Sequence, residues 1–272
     1  MAIILETTFR ENQEAFRQYF SESWLSFDEF LDDVEWLGVR TFDPENIWTG
    51  KQHTMGPREE VIAAKHELLS FGISRLPKDH LYFEFGVRTG TSMKHVSGQS
   101  TGEDARFFGF DTFEGFPSDG WVPMHGNRGI VNPAFGSGAM AVKAIPSFED
   151  KRVQLFKGVF QDTLPGVLEG LFHGENRDKY VSRPKFVNVD CDTYSGALYI
   201  LTMMDRYLRA GDVVYFDEFT DTLNEYAAFS DYVRSFYRKS CFKLIGRAYD
   251  GFLFQVPEGK LPSPDPVVLS NL

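Results

Sequence analysis

The chain has 272 residues, and its 28 lysines and arginines against 39 aspartates and glutamates give a formal charge of -11. A chain of this length can bury one large core, so we expect one α/β-sized domain with an extension rather than two equal domains. The acidic balance argues against a surface that binds nucleic acid. No apolar run approaches the length needed to cross a bilayer, so we expect no membrane contact.

Two cysteines, Cys191 and Cys241, are too few for a disulfide framework or a thiolate metal site. They fit a reducing compartment, and we expect the protein to be cytoplasmic. The N-terminal sequence "MAIILETTFR" has too short an apolar run to be a signal peptide.

Residues 1–56 are aromatic and acidic, and two segments within them have helical spacing. The segments "FRENQEAFRQYF" and "SFDEFLDDVEWLG" predict short amphipathic helices, so we expect an N-terminal helical extension that caps the domain. A firmer helix is predicted to begin at Pro57, which suits a first turn, and to end at Gly72.

From residue 80 onward, short apolar runs alternate with segments of helical periodicity. The runs show little polar alternation, which is typical of a parallel sheet covered by helices on both faces. The predicted strands are residues 81–85, 106–110, 153–156, 185–189 and 212–216. The segment "FKLIGRAYDGFLFQV" predicts an antiparallel hairpin around "YDG". We therefore expect an α/β domain over residues 57–258 and an irregular tail over residues 259–272.

Residues 117–147 form the one long stretch that is rich in glycine and proline. A loop of this length inside a compact domain is usually a lid or a binding loop, so we expect it to cover a site. The alternative is a surface insertion without a function of its own.

The segment "YFEFGVRTGTS" places Glu84, Gly86 and Gly90 directly after the first of the parallel strands. Glycines at such a turn let backbone N–H groups approach a ligand closely, although a plain tight turn has the same composition. Asp111 follows the second strand, 21 residues after Gly90. A carboxylate there is placed to accept hydrogen bonds from both hydroxyls of a ribose. The spacing alone does not discriminate between a nicotinamide cofactor and S-adenosylmethionine.

Two features favour S-adenosylmethionine. The turn has the pattern E-x-G-x-x-x-G instead of G-x-G-x-x-G, so the cradle for a pyrophosphate is missing. The antiparallel hairpin at the C-terminal edge is the second feature, since it favours the methyltransferase version of this fold. We expect Glu84 to bind the ammonium group of the cofactor, and Thr91 and Ser92 to bind its carboxylate.

Three further residues belong to the predicted cofactor site. Thr112 and Phe113 directly follow Asp111 in "FDTFEGFP". Asp162, in the loop after the third strand, is placed to accept a hydrogen bond from the adenine amine. The alternative for Asp162 is an N-cap of a helix that starts near Thr163.

Three carboxylates follow the last two parallel strands: Asp190 after the fourth, and Asp217 and Glu218 after the fifth. Asp190 and Asp217 are one strand–helix–strand unit apart, so we expect their strands to be neighbours and their carboxylates to meet at the carboxyl edge of the sheet. Convergent carboxylates repel one another unless a cation joins them, and hard divalent cations prefer oxygen ligands. The alternative is that these acids cap helices or pair with nearby lysines and arginines.

In combination, these motifs resemble the macrocin and mycinamicin O-methyltransferases and their aminocoumarin relatives. The matching segments are "HTM", "FDTFEGFP", "FKGVFQDTLP" and "DCDTY" followed by "DE", within about residues 53–255. The resemblance implies a Rossmann-like class I methyltransferase sheet and a magnesium-dependent enzyme that methylates sugar hydroxyls of natural products. In those enzymes Asp-Asp normally stands at Asp217-Glu218, and Arg-Gly stands at Thr89-Gly90.

Carried over to this sequence, the resemblance implies that Asp190, Asp217 and Glu218 bind magnesium. It also implies that Thr54 and Met55 lie in the segment that closes over the cofactor.

The expected reaction is O-methylation of a small-molecule hydroxyl, on a sugar or another vicinal-diol-like group, with Asp190 as the base. His125 in the predicted lid is a second candidate base. The alternatives are a metal-independent enzyme that methylates nitrogen or a phenol, and a non-catalytic cofactor-binding subunit of a biosynthetic complex. The acceptor cannot be read from the sequence, which also leaves open whether the chain forms a homo-oligomer.

Overall fold

A computed structural model describes residues 36–41, as backbone alone, and residues 58–116, 138, 140–219, 224–236, 238 and 241–258. The predictions for Thr54, Met55 and His125 lie outside the described residues. So do the tail from residue 259 and most of the expected lid. Within the described ranges, no helix is both long enough and apolar enough to span a bilayer.

The described strands form one eight-stranded sheet in the order β1-β7-β8-β6-β5-β2-β3-β4. Their bounds are β1 Trp36–Thr41, β2 Leu81–Phe85, β3 Arg106–Asp111, β4 Val153–Lys157, β5 Lys185–Val189, β6 Val213–Phe216, β7 Lys243–Ala248 and β8 Gly251–Gln255. Strand β8 runs antiparallel to both of its neighbours, whereas every other described pair is parallel. The predicted parallel sheet and its C-terminal antiparallel hairpin are therefore confirmed.

The helices lie between the strands and cover the sheet. Their bounds are α1 Arg58–Ser74, α2 Thr91–Gln99, α3 Phe160–Phe172, α4 Arg177–Tyr180, α5 Tyr194–Met204 and α6 Glu225–Ser235. The prediction that Gly72 ends α1 is wrong, because the helix continues to Ser74. A Cβ at Gly72 would lie 2.5 Å from Cε2 of Phe186 on β5, so this glycine allows close packing of the helix on the sheet.

The N-terminal extension contains a strand. Trp36–Thr41 forms β1, which pairs in parallel with β7 at the edge of the sheet. The segment "SFDEFLDDVEWLG" ends within this strand, so the prediction of a helix is wrong there. Without β1, strand β7 would be an edge with unpaired backbone groups, and pairing with it outweighs the local helical pattern. The rest of the predicted helical extension, residues 1–35 and 42–56, lies outside the described residues.

Phenylalanine rings dominate the core beneath α3 and α5. Phe85 on β2 stacks on Phe110 of β3 with ring centroids 4.9 Å apart, and Phe110 stacks on Phe156 of β4 at 5.1 Å. The first two are fully buried. Strands that are apolar on both faces are held rigidly between two helical layers, so the loops at their ends start from fixed positions.

Strand register aligns the carboxyl ends of three neighbouring strands. Val189 at the end of β5 pairs with Phe216 at the end of β6, and Phe85 at the end of β2 pairs with Val189. The backbone N–H of Asp190 donates to Phe85 at 3.0 Å, and that of Asp217 donates to Val189 at 3.1 Å. The prediction that the strands before the two aspartates are neighbours is confirmed.

Candidate active site

A cavity of about 670 Å³ opens at the carboxyl edge of the sheet. Its walls come from the loops after β2, β3, β4, β5 and β6, from α1, and from the turn between β7 and β8. The predicted site residues that line it are Glu84, Gly86, Thr91, Ser92, Asp111, Thr112, Asp190, Asp217 and Glu218. The structure thus brings most of the described candidates to one place. Gly90, Phe113 and Asp162 do not line this cavity.

Glu84 is a buried carboxylate in the cavity wall. The Tyr82 hydroxyl donates to its Oε2 at 2.8 Å, and the side-chain amide of Asn188 donates to the Tyr82 hydroxyl at 2.9 Å. Burial raises the pKa of Glu84 to about 7, although the Tyr82 hydrogen bond and the charge of Lys65 favour the ionised form. A buried and oriented carboxylate in a cavity wall is suited to binding a cationic group.

The turn after β2 requires glycine for a reason internal to the chain. Gly86 has a φ of 100°, and a Cβ there would lie 1.6 Å from the backbone oxygen of Asp190. Gly90 has a φ of 76° and directly precedes α2. Gly86 therefore allows the β2 and β5 loops to touch, which brings Glu84 and Asp190 to one cavity.

Asp111 connects the loops that follow β2 and β3. Its Oδ2 accepts the backbone N–H of Arg88 at 2.7 Å, and its Oδ1 accepts that of Phe113 at 2.6 Å. These two bonds fix the orientation of the carboxylate while each oxygen keeps capacity for a second hydrogen bond. The Thr112 hydroxyl donates to the backbone oxygen of Gly115 at 2.6 Å, which shapes the same loop.

Asp162 lies inside α3 instead of at its start. The helix begins at Phe160, with Val159 as the N-cap residue and no side-chain capping bond. The alternative of an N-cap for a helix starting near Thr163 is therefore wrong. Val159 and Phe160 line the cavity where Asp162 does not, so contact of Asp162 with an adenine amine stays a prediction.

Lys65 on α1 joins the two aspartates at the strand ends. Its Nζ lies 2.7 Å from Oδ2 of Asp190 and 2.9 Å from Oδ1 of Asp217. The side chains of Lys65 and Asp190 are each 18% exposed, and that of Asp217 is 25% exposed. The Tyr215 hydroxyl also donates to Oδ1 of Asp217, at 2.6 Å. The structure therefore shows that Asp190 and Asp217 pair with a nearby lysine, as the alternative interpretation expected.

The three charged groups shift one another's protonation. Burial and the Asp217 carboxylate raise the pKa of Asp190. Burial opposes ionisation of Asp217 as well, but Lys65 and the Tyr215 hydroxyl outweigh it and lower its pKa. Burial would lower the pKa of Lys65, yet the two carboxylates raise it. Lys65 and Asp217 are therefore held charged, and Asp190 is the stronger proton acceptor of the two aspartates.

The predicted magnesium site places the carboxylates of Asp190, Asp217 and Glu218 around one ion. The Lys65 ammonium group lies instead within hydrogen-bond distance of Asp190 and Asp217. Across the described part of the chain, no group of three His, Cys, Asp or Glu side chains could hold a metal ion. The described residues, including Glu218, do not fit the predicted magnesium site.

Comparison with known proteins supports the fold assignment. No family model matches the chain, and no curated protein matches it. Among solved structures, it is similar to the calicheamicin methyltransferase CalS11, with 18% identity and a TM-score of 0.54, over 90% of this chain and 91% of that chain. It is also similar to the O-methyltransferase NovP, with 19% identity and a TM-score of 0.53, over 77% and 84% of the two chains. The fold is that of a class I methyltransferase.

In this methyltransferase fold, one face of α1 lines the cavity beside the strand ends. Its residues in the wall are Arg58, Val61, Ile62, Lys65 and His66. His66 stacks on His95 of α2 with ring centroids 4.2 Å apart, and burial lowers its pKa. Sequence reasoning missed Lys65 and His66. The sequence signal for Lys65 was its spacing. It lies four residues after Val61 and three after Ile62, and residues at these spacings share one face of a helix.

Proposed function

We propose that this chain is an S-adenosylmethionine-dependent O-methyltransferase that acts on a hydroxyl of a small-molecule natural product, on a sugar or a similar polyol. The observation that carries this proposal is one shared cavity. It is lined by Glu84 and Asp111, which suit the cofactor, and by Asp190, which suits a base. Methyl transfer needs the donor and the acceptor oxygen side by side in a site that excludes water.

The cofactor half of the cavity fits S-adenosylmethionine by its chemistry. Asp111 is oriented by two backbone N–H groups and can accept the ribose hydroxyls. Glu84 suits the ammonium group. Thr91 and Ser92 lie at the N-terminus of α2, where backbone N–H groups and the helix dipole favour a carboxylate. When bound, S-adenosylmethionine supplies a methyl group that is already electrophilic.

The remaining chemistry is proton removal and alignment. The acceptor oxygen forms a bond to the methyl carbon while the bond between that carbon and sulfur breaks, and the hydroxyl proton passes to a base. Asp190 lies in the cavity wall and is the candidate for that base. Magnesium is implied by the family resemblance, but we derive no step through it because the described residues do not fit an ion.

The names of the two similar structures support the choice of acceptor class, since one is a calicheamicin methyltransferase and the other an O-methyltransferase. At sequence identities of 18% and 19%, these two structures do not identify the acceptor molecule of this chain. The cavity wall formed by α1 carries Arg58, Lys65 and His66 among apolar residues, which suits a polar acceptor with hydrogen-bonding groups.

Product mass tests this function. The protein is incubated with S-adenosylmethionine and a panel of glycosides and polyols, together with matched amines and phenols. We expect the hydroxyl acceptors to gain one methyl group. Methylation of amines or phenols alone would favour the alternative enzyme, which methylates nitrogen or a phenol. Tight cofactor binding without transfer to any acceptor would favour a non-catalytic subunit, and absence of cofactor binding would refute the proposal.

A further inference from the structure

We propose that the ammonium group of Lys65 takes the place of the divalent cation at this site, so that methyl transfer proceeds without a metal ion. This inference rests on the proposed function. It assigns to a lysine of α1 the two tasks that a metal would perform, which are to neutralise the convergent carboxylates and to orient the acceptor oxygen.

The geometry is that of a cation shared between two ligands. Lys65 Nζ lies 2.7 Å from Asp190 and 2.9 Å from Asp217, and these acids end neighbouring parallel strands. An ion bound by both carboxylates would need the space that the ammonium occupies. The ammonium group also removes the reason for recruiting an ion, because it separates two like charges that would otherwise repel.

Lys65 is built into the wall of the cavity. Its neighbours on α1, Ala64 and Leu68, are buried in the core, and the Lys65 side chain is 18% exposed. The pair formed by Lys157 and Glu114 gives a contrast, since its side chains are 51% and 74% exposed. A partly buried, doubly paired lysine holds its position far better than a surface lysine does.

Lys65 can also bind the acceptor. An ammonium group has three N–H donors, and the two aspartates take two of them. The third can donate to an acceptor oxygen in the cavity that Lys65 lines. A hydrogen bond from a cation holds that oxygen beside Asp190, where its proton can be removed as the methyl group arrives.

The test combines two variants with a matched control. Lys65→Met keeps an unbranched side chain that is one heavy atom shorter and removes the charge, and Lys65→Arg keeps the charge. Lys157→Met makes the same change in the exposed pair. Methyl transfer is measured with excess chelator and with added magnesium, and cofactor affinity is measured by calorimetry.

We expect the wild-type rate to be the same in chelator and in magnesium. Lys65→Met should lower the turnover rate by about tenfold or more while cofactor affinity stays within about twofold, because the charge-assisted hydrogen bonds are lost. Lys65→Arg should restore part of the rate, which a merely structural role would not explain. Lys157→Met should behave like wild type.

Magnesium calorimetry on the wild-type protein, without any acceptor, separates this inference from the proposed function. No saturable magnesium binding is expected. Saturable binding that disappears in Asp217→Asn would overturn the role of Lys65, and so would wild-type turnover that stops in chelator and returns with magnesium. A protein that binds the cofactor but methylates nothing in either condition would contradict the proposed function instead. The calorimetric result does not depend on whether Lys65→Met folds.

Discussion

The side chain of Glu225 accepts a hydrogen bond from the backbone N–H of Glu218 at 3.1 Å. Its other oxygen accepts the backbone N–H of Cys191 at 3.2 Å. Glu225 is fully buried at the start of α6, and its two bonds reach the residues that directly follow Asp190 and Asp217. One carboxylate thus fixes both strand-end loops, although Glu225 does not line the cavity.

Glu225→Ala should loosen both loops at once. One buried and one partly buried N–H group would lose their acceptor, so we expect the free energy of unfolding to fall by about 2–4 kcal/mol. Turnover should fall while cofactor affinity stays nearly unchanged, because the acids move and the Asp111 side of the cavity does not. Denaturant unfolding and calorimetry measure the two effects. Glu103→Ala, at an exposed glutamate, is the control, and equal stability of the two variants would contradict the role of Glu225.

Asp111→Ala should weaken S-adenosylmethionine binding by roughly 1.5–3 kcal/mol, because charge-assisted hydrogen bonds to the ribose are lost. The same change removes the acceptor of the Arg88 and Phe113 N–H groups, so the loops after β2 and β3 lose order as well. Calorimetry with the cofactor is the measurement, and Asp178→Ala, at a side chain that is 95% exposed, controls for the change in charge. Wild-type affinity of Asp111→Ala would refute the ribose assignment.

The titration of Glu84 should make stability fall as pH rises. Its folded pKa is about 7 against an ordinary value of 4.5, so the folded protein holds this proton more tightly than the unfolded chain does. The stability from this group is fully present below pH 4.5 and is lost as pH rises through about 7, by about 3 kcal/mol in total.

Urea unfolding at pH 5 and at pH 8 measures that loss. Because other buried acids also titrate, the comparison is with Glu84→Gln, which keeps an oxygen near Tyr82 but cannot ionise. The difference in stability between the two pH values should be smaller in Glu84→Gln than in wild type. Identical differences would show that Glu84 does not carry a raised pKa.

Two glycine-to-alanine changes should shift the free energy of unfolding in opposite directions. Gly86→Ala places a Cβ 1.6 Å from the Asp190 backbone oxygen at a φ of 100°, so we expect a loss of more than about 3 kcal/mol or failure to fold. Gly98→Ala, in α2, meets nothing within 4 Å and should stabilise the protein by about 0.5–1 kcal/mol. Thermal unfolding compares them, and a stable Gly86→Ala protein would show that the β2 and β5 loops can separate.

Local sequence pattern was sufficient for the strands from β2 to β8 and for one side of the site. Strand β5 ends at Val189 and is followed by Asp190, just as the apolar run is followed by a carboxylate in the sequence. Such a run must lie in a covered parallel sheet, and parallel strands present their carboxyl ends at one edge. Asp111 and Asp217 were located by the same reasoning.

The cation that meets Asp190 follows from packing between distant segments. Lys65 is 125 residues away along the chain, and its spacing from Val61 and Ile62 places it on their face of the helix without indicating which acids it meets. The contact exists because Ala64 and Leu68 bury α1 against the sheet and turn its next position toward the strand ends. Strand β1 likewise forms because it pairs with β7. Glu225 of α6 fixes the loops that carry Asp190 and Asp217. Pairings of this kind depend on packing between distant segments, and the pattern of apolar and polar residues within a single segment does not encode them.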